Sequence, residues 1–87
     1  MVEEDKKFSR QLLGKTVVTK SGRKFGEIGN LTFETRTGEL IHLILKNTTQ
    51  YTENLTLEKD KLGNLLIPFS SVLAVGDFVV ISEEDIL

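Results

Sequence analysis

Apolar residues in this chain fall into short runs punctuated by glycine, asparagine and serine. The densest run is Leu65 to Ile81, Leu-Leu-Ile-Pro-Phe-Ser-Ser-Val-Leu-Ala-Val-Gly-Asp-Phe-Val-Val-Ile, which contains the only proline and a single carboxylate. A stretch of that composition is buried on folding. Residue types divide it into a strand over Leu65 to Ile67, a corner at Pro68 to Ser71, a strand over Val72 to Val75, a Gly76-Asp77 turn and a strand over Phe78 to Ile81. Pro68 belongs at a strand end because it cannot donate to a ladder, and Ser70 or Ser71 suits the cap of one 3₁₀ turn. The upstream chain has to supply sheet for these strands.

That sheet is legible in order. Phe8, Leu12 and Leu13 have helical spacing with Ser9 as a possible N-cap and Gly14 as a stop, so a single helical turn is expected to tuck both leucines against one end of a barrel. Lys15 to Thr19 is β-branched, Ser21-Gly22-Arg23 supplies a turn, and Phe25 to Phe33 returns as a second strand. This second strand breaks period-2 alternation, because Ile28 falls on one face and Leu31 and Phe33 on the other. An extra residue near Gly29 and Asn30 restores the register, which predicts a β-bulge or sharp coil. After the Glu34 to Gly38 turn, Glu39 to Lys46 forms a third strand with Ile41, Leu43 and Leu45 on one side and Leu40, His42, Ile44 and Lys46 on the other. Asn47 to Lys61 reads as a long connection with a short strand at Asn54 to Leu57, and Lys61-Leu62-Gly63-Asn64 as a turn. The division is a disordered charged tail over residues 1–7, a barrel domain over 8–82 and an acidic C-terminal tail over 83–87.

Length changes the picture next. A domain of 87 residues buries only a little over half the surface of its unfolded chain, so its core is marginal. With no cysteine there is neither a disulfide framework nor a thiolate metal site, and self-association is the remaining common remedy. The charged N-terminus is unlike a signal peptide and the apolar runs are too short to span a membrane, so a cytoplasmic protein is expected.

The formal net charge is -2, and six of the thirteen acids sit at the ends as Glu3, Glu4, Asp5, Glu83, Glu84 and Asp85. Lys6, Lys7, Arg10, Lys15, Lys20, Arg23 and Lys24 follow one another without an intervening acid. Such a run is most simply a solvated face, and alternatively an anion or RNA patch. Catalytic constellations are missing. The one histidine, His42, has no second His, Cys or paired carboxylate near it in sequence, and reads as a strand residue rather than a base or metal ligand. Gly22, Gly26 and Gly29 lack a following helix to hold a phosphate, and Ser70 and Ser71 lack a base and a nucleophile elbow. No enzyme activity, cofactor or metal is expected.

The ordered set of features resembles the PRC-barrel family, particularly its short archaeal single-domain members. The matching residues are Ser9-Arg10 with Leu13-Gly14-Lys15-Thr16-Val17, Gly22 with Gly26-Glu27-Ile28, Leu31-Thr32-Phe33 with Thr37-Gly38-Glu39-Leu40, and Ile67-Pro68-Phe69-Ser70-Ser71-Val72 with Val75-Gly76-Asp77-Phe78-Val79-Val80-Ile81. Asn30 stands where a common family pattern has an acid. The resemblance implies an all-β fold, a small, strongly bent, mostly antiparallel β-barrel of about six short strands with a short helical turn, which serves as a binding module. Relatives occur in the photosynthetic reaction-centre H subunit and a ribosome-maturation factor, and some archaeal members resemble cell-division proteins that partner SepF.

Two functions follow as expectations. The first is a homodimeric protein-interaction module, extended by the resemblance to a cell-division adaptor for a SepF-like partner. Apolar residues on both faces of the C-terminal strands demand a second cover, and Leu66, Phe69, Val79 and Ile81 are the candidate self-association residues. The second is an RNA or ribosome-assembly factor using Arg10, Lys15, Lys20, Arg23 and Lys24, although Phe25 is the only aromatic in that basic run.

Overall fold

Thr16-Val17-Val18-Thr19, four β-branched residues in succession, form the central strand of a six-stranded sheet. The computed structural model describes residues 10–86. The tail expected over residues 1–7, and the start of the helical turn at Phe8 and Ser9, lie outside them. In chain order the elements are β1 (Thr16–Thr19), β2 (Lys24–Phe33), β3 (Leu40–Lys46), a one-turn helix α1 (Gln50–Glu53), β4 (Leu66–Pro68), a 3₁₀ turn (Phe69–Ser71), β5 (Val72–Val75), β6 (Phe78–Ile81) and a second 3₁₀ turn (Glu83–Asp85). The six strands, the Gly76-Asp77 turn and the 3₁₀ corner match the sequence reading closely.

The sheet runs β4-β3-β2-β1-β6-β5, antiparallel throughout except for the parallel β1–β6 pair. Its two edge strands, β4 and β5, are joined by the three-residue turn Phe69–Ser71. So short a link brings the two edges together, and the intervening strands have to curl to allow it. Ser71 stabilises the corner from within: its side chain is fully buried and its hydroxyl donates to the Pro68 carbonyl at 2.7 Å. The bulge expected near Gly29 and Asn30 is present as a register shift between Ile28 and Asn30 in the β2–β3 ladder. It restores the alternation, so that Ile28 is buried and Leu31 also packs against the core.

One face of this curled sheet forms the core. Leu12, Val17, Phe25, Ile28, Leu43, Leu45, Leu65, Ile67, Val79 and Ile81 are buried together. Each aliphatic or aromatic side chain so placed contributes about 1.5–3 kcal/mol relative to exposure. Two expectations need correcting. Leu12 is buried but Leu13 is 48% exposed, because adjacent residues of a helical turn point about 100° apart and cannot share one core. Asn54 to Leu57 is not a strand; α1 precedes it, and Leu55 and Leu57 reach the core from irregular backbone. Thr52 accounts for the helical turn, since its amide and its hydroxyl both donate to the Thr49 carbonyl, at 3.1 and 2.6 Å.

The chain end is fastened by Tyr51. Its hydroxyl donates to Glu83 Oε2 at 2.7 Å, the Arg23 guanidinium lies 5.0 Å from its ring centroid, and the Phe25 ring is 5.9 Å away. Ile86 follows onto the core. Residues 83–86, expected to begin an acidic tail, therefore form an ordered turn whose first carboxylate has a partner. The hydrogen bond from the phenol to Glu83 raises the Tyr51 pKa; desolvation and the charge of Glu83 reinforce it and Arg23 opposes it.

Two outcomes follow. A Cβ on Gly26 would lie 2.9 Å from the Lys46 carbonyl oxygen and 3.1 Å from Thr48 Cα, both backbone atoms that cannot step aside. Gly26→Ala is expected to destabilise the fold by about 1–3 kcal/mol in denaturant unfolding. Gly29→Ala should cost less, because its Cβ would meet Lys46 side-chain carbons at 3.1 and 3.2 Å rather than a backbone oxygen at 2.9 Å. Tyr51 is the only tyrosine and there is no tryptophan, so ultraviolet titration of the phenol reads this residue alone. Its midpoint in the native protein should lie above the ordinary phenol value, and Glu83→Gln should bring it down. With a raised native pKa, the stabilisation is fully present below the unfolded pKa and is lost as pH climbs through the native one.

Candidate interaction surface

Filling the interior with one set of alternating residues leaves the other set facing outward. In the parallel β1–β6 ladder Val17 pairs with Val79 and Thr19 with Ile81, and all four are buried. The residues between them, Thr16 paired with Phe78 and Val18 with Val80, therefore face the solvent. Phe78 is 55% exposed, and beyond it on β5 Leu73 is 52% exposed next to Ala74, the ladder partner of Val80. The outer surface of β1, β6 and β5 is thus a nearly continuous apolar face.

Of the four predicted self-association residues, Val79 and Ile81 are corrected by this geometry. Both are fully buried inside the barrel, where Val17 and Thr19 oppose them, and neither can touch a second molecule without unfolding. Phe69 is half-buried and packs on the core. Leu66 alone of the four faces outward, beside its ladder partner Ile44. The apolar residues that face outward here and that the sequence reading did not name among the candidates are Phe78, Val80, Val18 and Leu73. Alternation in β6 signalled that one of two parities faces out; which one depends on the pairing with β1, a contact between residues distant in sequence.

Leu66 and Ile44 belong to a second apolar surface. Near it Leu62 stands 88% exposed at the tip of the 61–64 turn, and Leu62, Ile44 and Asp60 share the lining of a groove of about 310 Å³. Asp60 builds that turn: its carboxylate accepts from the amides of Leu62 and Asn64, both at 2.9 Å, and from Asn64 Nδ2 at 3.3 Å. Those bonds, led by the Asn64 amide, hold its carboxyl below the usual carboxylate range.

The five predicted basic residues do not converge. Lys15 precedes β1 and Lys20 follows it, so they flank opposite ends of the strand. The Lys15 ammonium donates to the Gly76 carbonyl, and Arg23 lies over the Tyr51 ring. Lys20 shares a groove of about 160 Å³ with Glu83 and Glu84, which offset its charge. Arg10 and Lys24 are exposed, Arg10 on the turn before β1 and Lys24 at the start of β2. An extended anionic backbone would meet carboxylates among these cations.

His42 lies on the outside of β3, with Nδ1 3.2 Å from Thr32 Oγ1 and Nε2 3.9 Å from Glu58 Oε1. A groove of about 280 Å³ between β3, α1 and the 59–65 segment includes Thr52, whose hydroxyl is already bonded to backbone. Among the described residues no group of three or more His, Asp or Glu is placed to hold a metal ion, and no helix is long and apolar enough to cross a membrane.

The comparisons with known proteins agree with this architecture. No curated protein matches the chain. A family model described as PRC-barrel domain matches residues 4–85, nearly the whole length. The curled sheet with its consecutive edge strands is thus the fold of a domain type that is non-catalytic in general, and the chain belongs to the PRC-barrel domain family.

Proposed function

We propose that this protein is a non-enzymatic interaction module that works as a homodimeric adaptor in the cytoplasm. The observation that carries the reading is the apolar outer face of β1, β6 and β5, where Phe78 and Leu73 are each more than half exposed although the core behind them is complete. A small soluble domain that keeps large apolar side chains in contiguous exposed positions has a use for them in association. Self-association through a shared patch is the most frequent route for a chain of this size.

The resemblance to archaeal single-domain PRC-barrels extends the proposal to cell division, with a SepF-like protein as the adaptor's second partner. The alternative, RNA processing or ribosome assembly, has less support because Arg10, Lys15, Lys20, Arg23 and Lys24 are spread over both ends of β1 and two of them have partners within the chain.

Light scattering on the full chain at micromolar concentrations should give twice the chain mass, falling towards the monomer on dilution. A clean monomer without concentration dependence would contradict the dimer. Capture of ribosomal particles from native lysate, in place of a division protein, would favour the alternative.

A further inference from the structure

The outer face of β1 and β6 carries an arrangement of charge that bears on what covers it. In the β1–β2 ladder Thr16 pairs with Glu27 and Val18 with Lys24. Directly paired residues share a face, so Glu27 and Lys24 lie on the same outer surface as the apolar residues of β1 and β6. Two rows therefore cross the sheet. One reads Glu27, Thr16, Phe78; the other reads Lys24, Val18, Val80. On β2 the first row carries a carboxylate and the second an ammonium; the first row continues to Lys46, the β3 ladder partner of Glu27, whose side-chain carbons lie against Gly29. Asn47 Nδ2 donates to Glu27 Oε1 at 2.9 Å and so fixes the carboxylate at the margin of the face.

We infer that two copies of this chain pair face to face through this surface, about a twofold axis that lies in the interface and runs across the strands. This rests on the dimer reading above and specifies it. Such an axis reverses strand direction while stacking β1 on β1, β6 on β6 and β2 on β2. Each row then lies over the other row of the second copy. Phe78 packs on the partner copy's valine at position 80, Val18 on threonine 16, and Lys24 meets glutamate 27, with every contact made twice. One operation covers the most exposed aromatic of the face and neutralises both charges beside it. A partner of uniform charge would satisfy one of the two and repel the other. The face is therefore complementary to itself, as an isologous interface requires. Stacked sheets of this kind pack about 10 Å apart and within about 30° of alignment, which keeps the two rows in register near the axis.

The test is sedimentation equilibrium or light scattering on the full chain, with circular dichroism melts to verify folding. Lys24, Glu27 and Phe78 lie on the outside of the sheet, and Leu62 stands in the 61–64 turn. Lys24→Glu and Glu27→Lys should each weaken the homodimer by about tenfold, since each reversal sets like charges opposite one another twice. Mixing these two variants should restore tight association as a heterodimer, and the double variant Lys24→Glu/Glu27→Lys should again pair with itself. Phe78→Ser should weaken association while leaving the melt little changed. A wild-type monomer would overturn both this interface and the dimer reading. A wild-type dimer indifferent to both reversals, or one dissociated only by Leu62→Ser on the second apolar surface, would overturn this interface and leave the dimer reading standing. Failure of the mixed variants to recover would equally overturn it.

Discussion

The connection from β4 to β5 constrains this molecule more than any other feature. Those strands are the opposite edges of the sheet, yet only Phe69, Ser70 and Ser71 separate them in sequence. Pro68 ends β4 because it has no amide to continue the ladder, and the buried Ser71 hydroxyl, bonded to the Pro68 carbonyl, turns the chain without leaving an unsatisfied polar group. With its edges held so close, the sheet has an inside and an outside, and each strand has to commit one of its two faces to each.

That commitment decides what the surface can do. The interior takes Val17, Val79 and Ile81 together with Leu43, Leu45 and Ile67. Because β6 is Phe-Val-Val-Ile, apolar at every position, the rejected parity is apolar too, and Phe78 and Val80 face out beside Val18. A strand with a wholly polar outer set would have left an inert barrel. The charges that border the outer face, Lys24 and Glu27, come from the neighbouring strand at the spacing set by the irregularity between Val17 and Val18. That backbone irregularity thus also sets the spacing of charge along the outer face.

Much of the fold could be read from residues alone. Turn chemistry at Ser21-Gly22, Gly38 and Gly76-Asp77, β-branched runs and the broken alternation at Gly29 are local signals, and the strands and bulge follow from them. The surface was only half legible. That the C-terminal strands have two apolar faces is written in their composition, but whether Val79 and Ile81 or Phe78 and Val80 turn inward is decided by the parallel pairing with β1, across some sixty residues of chain. The acid-free run of bases likewise looked like one patch because the residues are neighbours in sequence. A four-residue strand between Lys15 and Lys20 is enough to separate them, and the C-terminal turn then brings Glu83 and Glu84 to one end. The order of that turn, held by Tyr51 from the 47–61 connection, had no local signal.

In the proposed homodimer the residues rejected by the core of β6 are covered by the same outer face of a second copy. Isotope-filtered nuclear Overhauser spectra on a mixture of labelled and unlabelled chains address it most directly. Cross-peaks between the Phe78 ring of one copy and the Val80 methyls of the other are the expected result. Intermolecular peaks confined to Ile44, Leu62 and Leu66, or none at concentrations where the chain is dimeric, would contradict it.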